Sequence, residues 1–147
     1  RQKQTKIRRT YRESQALFTG CMITVLIIDD EPLILSLYTK ALDAKEFHMI
    51  SLVSGEESVD VAKTKKPDII LLDMMMPEPN GVQVLEALKA DETTRGIPVV
   101  LFTNLSGKYD ASFALSKGAA AYWVKNDIKL SALGDKIKEV LASISHS

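Results

Sequence analysis

Five side chains fall directly after short apolar runs, and together they could handle a phosphoryl group. Asp29 and Asp30 follow the run ending at Ile28, Asp73 follows Ile69–Leu72, Thr103 follows Val99–Phe102, and Lys125 follows Ala120–Val124. If those runs are strands of one open α/β sheet, their carboxyl ends share a rim, and ligands bind outside that rim. Carboxylates gathered there repel one another, and a hard cation relieves the repulsion. Mg²⁺ suits such a site because it takes oxygen ligands and keeps several waters. Phosphoryl transfer asks mainly for positioning and charge neutralisation of the equatorial oxygens. Asp73 would be the nucleophile, forming an acyl phosphate, with the Lys125 ammonium and the Thr103 hydroxyl each holding one oxygen. Each residue also has a plain structural use. Asp29 or Asp30 could cap a helix, Asp73 could form a turn, Thr103 suits a strand, and Lys125 suits a solvated surface. Agreement of all these strand ends on one chemistry favours the site.

The elements needed to position these residues are legible in the pattern. Apolar runs recur at Ile23–Ile28, Met49–Val53, Ile69–Leu72, Val99–Phe102 and Ala120–Val124. The first, third and fourth are almost continuously apolar, as strands of a parallel sheet covered on both faces are. The second is mixed and reads as an edge strand. Between the runs lie helical stretches. One has Pro32 in its first turn and Leu33, Leu37 and Leu42 as its stripe. A second is capped by Ser54 with Glu57 three residues on, faces Val59 and Ala62 inward, and gives way at Pro67. A third is capped by Asn80 and carries Val82, Leu85 and Leu88. A fourth is capped by Asp110, carries Phe113 and Ala114, and stops at Gly118. The last carries Leu130, Leu133, Ile137, Val140 and Leu141. Five alternations of strand and helix imply a parallel α/β sheet with right-handed crossovers.

The 147 residues suit one domain. Residues 1–21 carry six basic side chains and one acidic, and the remainder thirteen basic and eighteen acidic. The main body is therefore acidic, which argues against nucleic-acid binding. Residues 1–21 read as a basic N-terminal extension, an upstream linker or a cloning remnant, and residues 22–147 as the domain, with Met22 a natural start. The single cysteine, Cys21, forbids an intrachain disulfide and fits a reducing compartment. Histidine and cysteine show no zinc-ligand spacing. The apolar runs are too short to span a bilayer, and no secretory signal is evident. A cytoplasmic location is expected.

These motifs resemble the receiver domain of response regulators in two-component phosphorelay systems. Val25–Pro32, VLIIDDEP, is similar to that family's first strand and acidic pair. Ile69–Pro77, IILLDMMMP, resembles its phosphoacceptor segment, Gly81 falls where the family keeps a glycine, and Phe102–Thr103 and Ala121–Lys125, AYWVK, match the hydroxyl and lysine motifs. The resemblance extends from Met22 to about Ser143. It implies a flavodoxin-like (βα)5 doubly wound parallel sheet with strand order 2-1-3-4-5. It implies Mg²⁺ held by Asp30, Asp73 and the Met75 carbonyl, with Asp29 acting largely through water. Tyr122 matches the switch aromatic whose rotamer follows the Thr103 hydroxyl. The implied function is a phosphoacceptor switch rather than an enzyme acting on other molecules. It would be charged at Asp73 by a sensor histidine kinase or phosphotransfer protein, and would then change affinity for a downstream protein partner through its fourth helix, fifth strand and fifth helix. A homodimer is compatible with this, and no membrane contact is implied. No effector segment follows Ser147, so a stand-alone regulator or a fragment of a longer one is expected.

Three positions depart from the usual pattern. Asn104 follows Thr103 where a small residue is common and could crowd phosphoryl access. Asn126 follows Lys125 in place of proline, so a trans Lys125–Asn126 bond is expected. Met75 and Leu105, flanking the acyl phosphate, are both apolar, which predicts a long-lived phosphorylated form. The rival readings are a non-phosphorylated pseudo-receiver, an aspartyl-phosphate hydrolase and a flavin binder. A hydrolase would carry an Asp-x-Asp motif after the first strand, and Asp29-Asp30-Glu31 would repel a flavin phosphate.

Overall fold

The computed structural model describes residues 22–104 and 111–145. Five parallel strands form one sheet: β1 (Ile23–Ile28), β2 (Phe47–Leu52), β3 (Ile69–Leu72), β4 (Val99–Thr103) and β5 (Ala121–Val124). Their order is β2-β1-β3-β4-β5. Helices α1 (Pro32–Ala41), α2 (Ser58–Lys65), α3 (Gly81–Ala90), α4 (Ala111–Ser116) and α5 (Leu133–Ser145) alternate with the strands. This is the doubly wound architecture expected from the sequence, with the mixed strand β2 at an edge.

Alternation along each strand divides the core in two. Val25, Ile27, Ile69, Leu71, Val100 and Phe102 pack on one face against α1 and α5. Leu26, Ile28, Ile70, Leu72, Val99 and Leu101 pack on the other against α2, α3 and α4. Every residue of β3 and β4 is buried, which explains why their runs are unbroken by polar residues.

The helix stripes need two corrections. Leu33 and Leu37 are 81% and 50% exposed, whereas Leu35, Tyr38 and Leu42 are buried. Residues 33, 34, 35, 37, 38, 41 and 42 are all apolar, so helical spacing admits two stripes. The one that faces the sheet is Leu35–Tyr38–Leu42. Ser54 does not cap α2 either. The helix begins four residues later, and the buried Ser58 hydroxyl donates instead to the Gly55 carbonyl at 2.6 Å. Leu130 lies in a 3₁₀ turn ahead of α5 and is 39% exposed. The start of β2 lies two residues earlier than expected, and Val53 falls outside it. Asp110, expected to cap α4, lies outside the described residues, as do residues 1–21. Gly118 adopts φ +100°, a left-handed turn that ends the α4 segment.

Asn80 caps α3 as expected. Its side chain accepts from the Gln83 amide at 3.0 Å, and the Gln83 side chain accepts from the Asn80 amide at 2.8 Å. That reciprocal box fixes where α3 starts, and α3 starts against the backbone of Asp73 and Met74. A Cβ on Gly81 would overlap the Asp73 carbonyl oxygen and lie 2.5 Å from the Met74 Cα. No side chain fits there without moving backbone.

Gly81→Ala should therefore cost about 2 kcal/mol or more, in the range of overpacked cores. A methyl group on Gly96 would meet no atom within 4 Å, so Gly96→Ala should stay within about 0.5 kcal/mol of wild type. Urea unfolding midpoints of the two variants test the contrast. Equal midpoints would show that the α3 approach is not tight.

Candidate functional site

The main-chain ladder carries the two buried acids to the rim. The Asp29 amide donates to the Leu52 carbonyl and the Asp73 amide to the Ile28 carbonyl, both at 3.0 Å. Asp29 and Asp73 thus occupy the last rungs of neighbouring strands, where the order β2-β1-β3 sends successive crossovers to opposite faces. This is the switch point of a doubly wound sheet. Asp29 is 1% and Asp73 5% exposed, and Asp30 is half-buried. One carboxylate oxygen from each of Asp29, Asp30 and Asp73 lies within 4.8 Å of the others.

Thr103 and Lys125 reach the same place from the other side. Thr103 ends β4, the strand beside β3, and its short side chain hydrogen-bonds to the Asp73 carboxylate. Lys125 follows β5, one strand further, roughly 10 Å from β3 by ordinary strand spacing. A long side chain is needed, and Lys125 supplies it from the first position of a 3₁₀ turn over Lys125–Asp127. Its ammonium pairs closely with the Asp29 carboxylate and lies 3.8 Å from Asp73 Oδ2. Lys125 is 8% exposed, so this is a buried pair rather than a surface ion pair. The ammonium also lies 5.8 Å from the centre of the Phe102 ring.

Burial pushes the Asp73 carboxyl above the usual carboxylate range. Lys125 opposes that push, the Asp29 charge adds to it, and hydrogen bonds from the Met75 amide and Thr103 oppose it. The Met75 amide donates to Asp73 Oδ1 at 3.3 Å. The net upward direction means that desolvation and like charge outweigh every favourable contact. Burial also raises the Tyr38 phenol, helped by Asp29, Asp73 and Glu31.

All the residues expected at the rim, Asp29, Asp30, Asp73, Thr103 and Lys125, therefore converge. Tyr122 is half-buried and packs on the opposite face from Phe102 and Trp123. Met75 is 60% exposed, and Asn104 is exposed. The Lys125–Asn126 bond is trans, as expected. Leu105 lies outside the described residues. Sequence reasoning missed the preference of Lys125 for Asp29, because nothing in the spacing ranks two acids on adjacent strands. It also missed Phe102 beneath the ammonium, although alternation from the buried Leu101 places Phe102 on the α1 face.

The carboxylate set fits Mg²⁺, since three oxygen donors converge and, among the described residues, the Lys125 ammonium is the cation paired with them. No helix among the described residues is long and apolar enough to cross a membrane.

A five-stranded sheet of this order with an acid cluster, a threonine and a lysine on its rim defines a receiver-type signalling domain. The response regulator receiver domain family matches residues 25–138, and the chain belongs to that family. Among its relatives is the polar-differentiation response regulator DivK of Brucella ovis, 33% identical over 118 residues, which are 80% of this chain and 95% of that protein. The response regulator PleD of Caulobacter vibrioides is 38% identical over 110 residues, 74% of this chain and 24% of that protein. A CheY-like receiver domain protein of Methanospirillum hungatei superposes with a TM-score of 0.72 at 25% identity, over 83% of this chain and 95% of that one.

The upward shift at Asp73 has a sign that can be checked. The folded state holds the Asp73 proton more tightly than the unfolded state does. Wild-type stability therefore falls as pH rises from the usual carboxylate range through the raised folded value, and stays low above it. Asp73→Asn cannot ionise. In EDTA it should be more stable than wild type at neutral pH, and the difference should vanish near pH ~4. Urea titrations at the two pH values decide this. A less stable Asp73→Asn at neutral pH would mean that the Lys125 attraction dominates instead.

Proposed function

We propose that this receiver domain, residues 22–147, is a phosphoacceptor switch charged at Asp73. The observation that carries the reading is the convergence of Asp29, Asp30, Asp73, Thr103 and Lys125 on one buried rim. A carboxylate oxygen of Asp73 attacks the phosphorus of a phosphohistidine on a sensor histidine kinase or phosphotransfer protein. The new O–P bond forms as the N–P bond breaks, and the departing imidazole takes up a proton. The Lys125 ammonium, 3.8 Å from Asp73 Oδ2, and the Thr103 hydroxyl at the Asp73 carboxylate hold equatorial oxygens of the transferred group. Asp29, Asp30, Asp73 and the Met75 carbonyl would hold Mg²⁺, which neutralises charge on those oxygens when bound.

Binding the phosphoryl group gives Lys125 and Thr103 a new anionic partner, and that biases an existing equilibrium between two states. Tyr122, next to the strand end that carries Lys125, follows Thr103 inward. The surface formed by α4, β5 and α5 then changes its affinity for a downstream protein. The switch acts on itself and on its partner and turns over no other substrate. Its expected location is the cytoplasm.

Treatment with acetyl phosphate and Mg²⁺, followed by peptide mass spectrometry, should label Asp73 alone in wild type and nothing in Asp73→Asn. Unchanged labelling of the variant would refute the assignment and leave a non-phosphorylated binding module as the better reading.

The acyl phosphate should also be long-lived. Hydrolysis needs a water in line with phosphorus, and the thioether of Met75 offers that water no strong hydrogen bond. Met75→Asn supplies one and should speed decay by about 5–30-fold, equivalent to ~1–2 kcal/mol of transition-state stabilisation. Decay of purified, labelled protein in Mg²⁺ measures this directly. Equal lifetimes would remove water orientation at position 75 as the controlling factor.

A further inference from the structure

The loop after β3 contains three methionines in succession with opposite surroundings. Met74 and Met76 are 4% and 8% exposed and belong to the core beside α3, whereas Met75 is 60% exposed. Its position is set from both sides. Buried neighbours anchor the chain, and its own amide donates to Asp73 Oδ1 at 3.3 Å. A thioether is thereby held in solvent on the residue whose backbone touches the nucleophile. Met22, 49% exposed, precedes the opposite end of β1, at the far edge of the sheet from the rim, and Met49 is only half-buried within β2.

We infer that Met75 is a reversible oxidation site through which a peroxide shortens the life of the phosphorylated state; this rests on the phosphoacceptor reading of Asp73. One oxygen atom passes from the peroxide to the Met75 sulfur. The sulfur loses two electrons, and hydrogen peroxide is reduced to water. The product is a sulfoxide, polar where the thioether was apolar, and a methionine sulfoxide reductase reverses the change. The main chain at Met75 is untouched, so its amide contact to Asp73 survives. What changes is the exposed side chain of the residue whose amide contacts Asp73. A sulfoxide oxygen is a strong hydrogen-bond acceptor, whereas a thioether sulfur is a weak one. Such an acceptor can hold the attacking water beside the acyl phosphate. Met74 and Met76 cannot respond in the same way without opening the core, so within this loop the reaction falls on Met75.

The experiment uses the full chain treated with hydrogen peroxide, with peptide mass spectrometry to place the oxygen. Acyl-phosphate decay at Asp73 is then followed in oxidised and unoxidised samples. Met75 should oxidise ahead of Met74 and Met76, and decay should quicken by about fivefold, the rate equivalent of one ordinary hydrogen bond. Reductase treatment should restore the slow decay. Met75→Leu should abolish the response to peroxide, Met22→Leu should keep it, and Met75→Gln should decay quickly without peroxide. A labelled Asp73 whose decay ignores oxidation at Met75 overturns this inference alone, as does a Met75 that resists peroxide while Met22 oxidises. Failure of unoxidised protein to accept any phosphoryl group instead sinks the phosphoacceptor reading, and this inference with it.

Discussion

One buried ammonium facing an excess of carboxylate is the constraint on which the rest of this structure depends. Lys125 is paired closely with Asp29 and stands 3.8 Å from Asp73, while Asp30 adds a third acid at the half-buried margin. A chain free to relax would separate these groups, because isolated buried charge is costly. The fold denies that freedom. Asp29 and Asp73 are bonded through their amides into the last rungs of adjacent parallel strands, and moving either would break a ladder whose β1 and β3 members are mostly core residues. α3 presses on Asp73 from behind through Gly81. The unfavourable charge arrangement is held by the sheet, and the sheet is held by apolar burial on both faces.

The same scaffold determines how a change at the rim can be felt elsewhere. Lys125 lies over Phe102, whose ring is tilted against Tyr38 at 4.9 Å and edge-on to Trp123 at 5.9 Å. Lys136 of α5 lies 5.4 Å from the Trp123 ring centre. Rigid aromatic side chains therefore connect the ammonium with α1, β5 and α5 by direct contact. Tyr122 packs on the other face of the sheet. Residues 122 and 123 thus sample opposite faces of β5 because strand side chains alternate, and one strand end addresses both layers.

Much of this was legible from residue order because parallel strands buried on both faces leave an unambiguous trace. The runs at β1, β3 and β4 are short, apolar and bounded, and the residue after each one is at the rim by topology alone. The polar cap of α3 was equally plain, since Asn80 precedes an apolar-periodic segment. What periodicity could not resolve was α1, where both Leu33–Leu37 and Leu35–Tyr38–Leu42 satisfy helical spacing. Only packing against Phe102, Leu133 and Ile137 selects the second. The cap at Ser54 failed for a related reason. A hydroxyl and a glutamate at the right spacing are common, and the turn that precedes α2 consumes the hydroxyl of Ser58 instead. The partner of Lys125 was beyond sequence because it depends on a choice between two acids a few ångströms apart.

These particulars bear on what an aspartate held in disfavour at position 73 offers the proposed switch. An exposed carboxylate at its ordinary pKa would be ionised and solvated, and attack on phosphorus would first require stripping that water. Asp73 is already stripped, and its charge is left without enough compensation, as the upward shift of its carboxyl records. A cation arriving at the rim would relieve that deficit, so its binding and the stability of the fold would increase together. The cost is carried in the ligand-free state, by a fold with sufficient core to bear it. Burial that would merely destabilise an ordinary surface acid would thereby make this one responsive to charge, at the junction of β1, β3 and the first turn of α3.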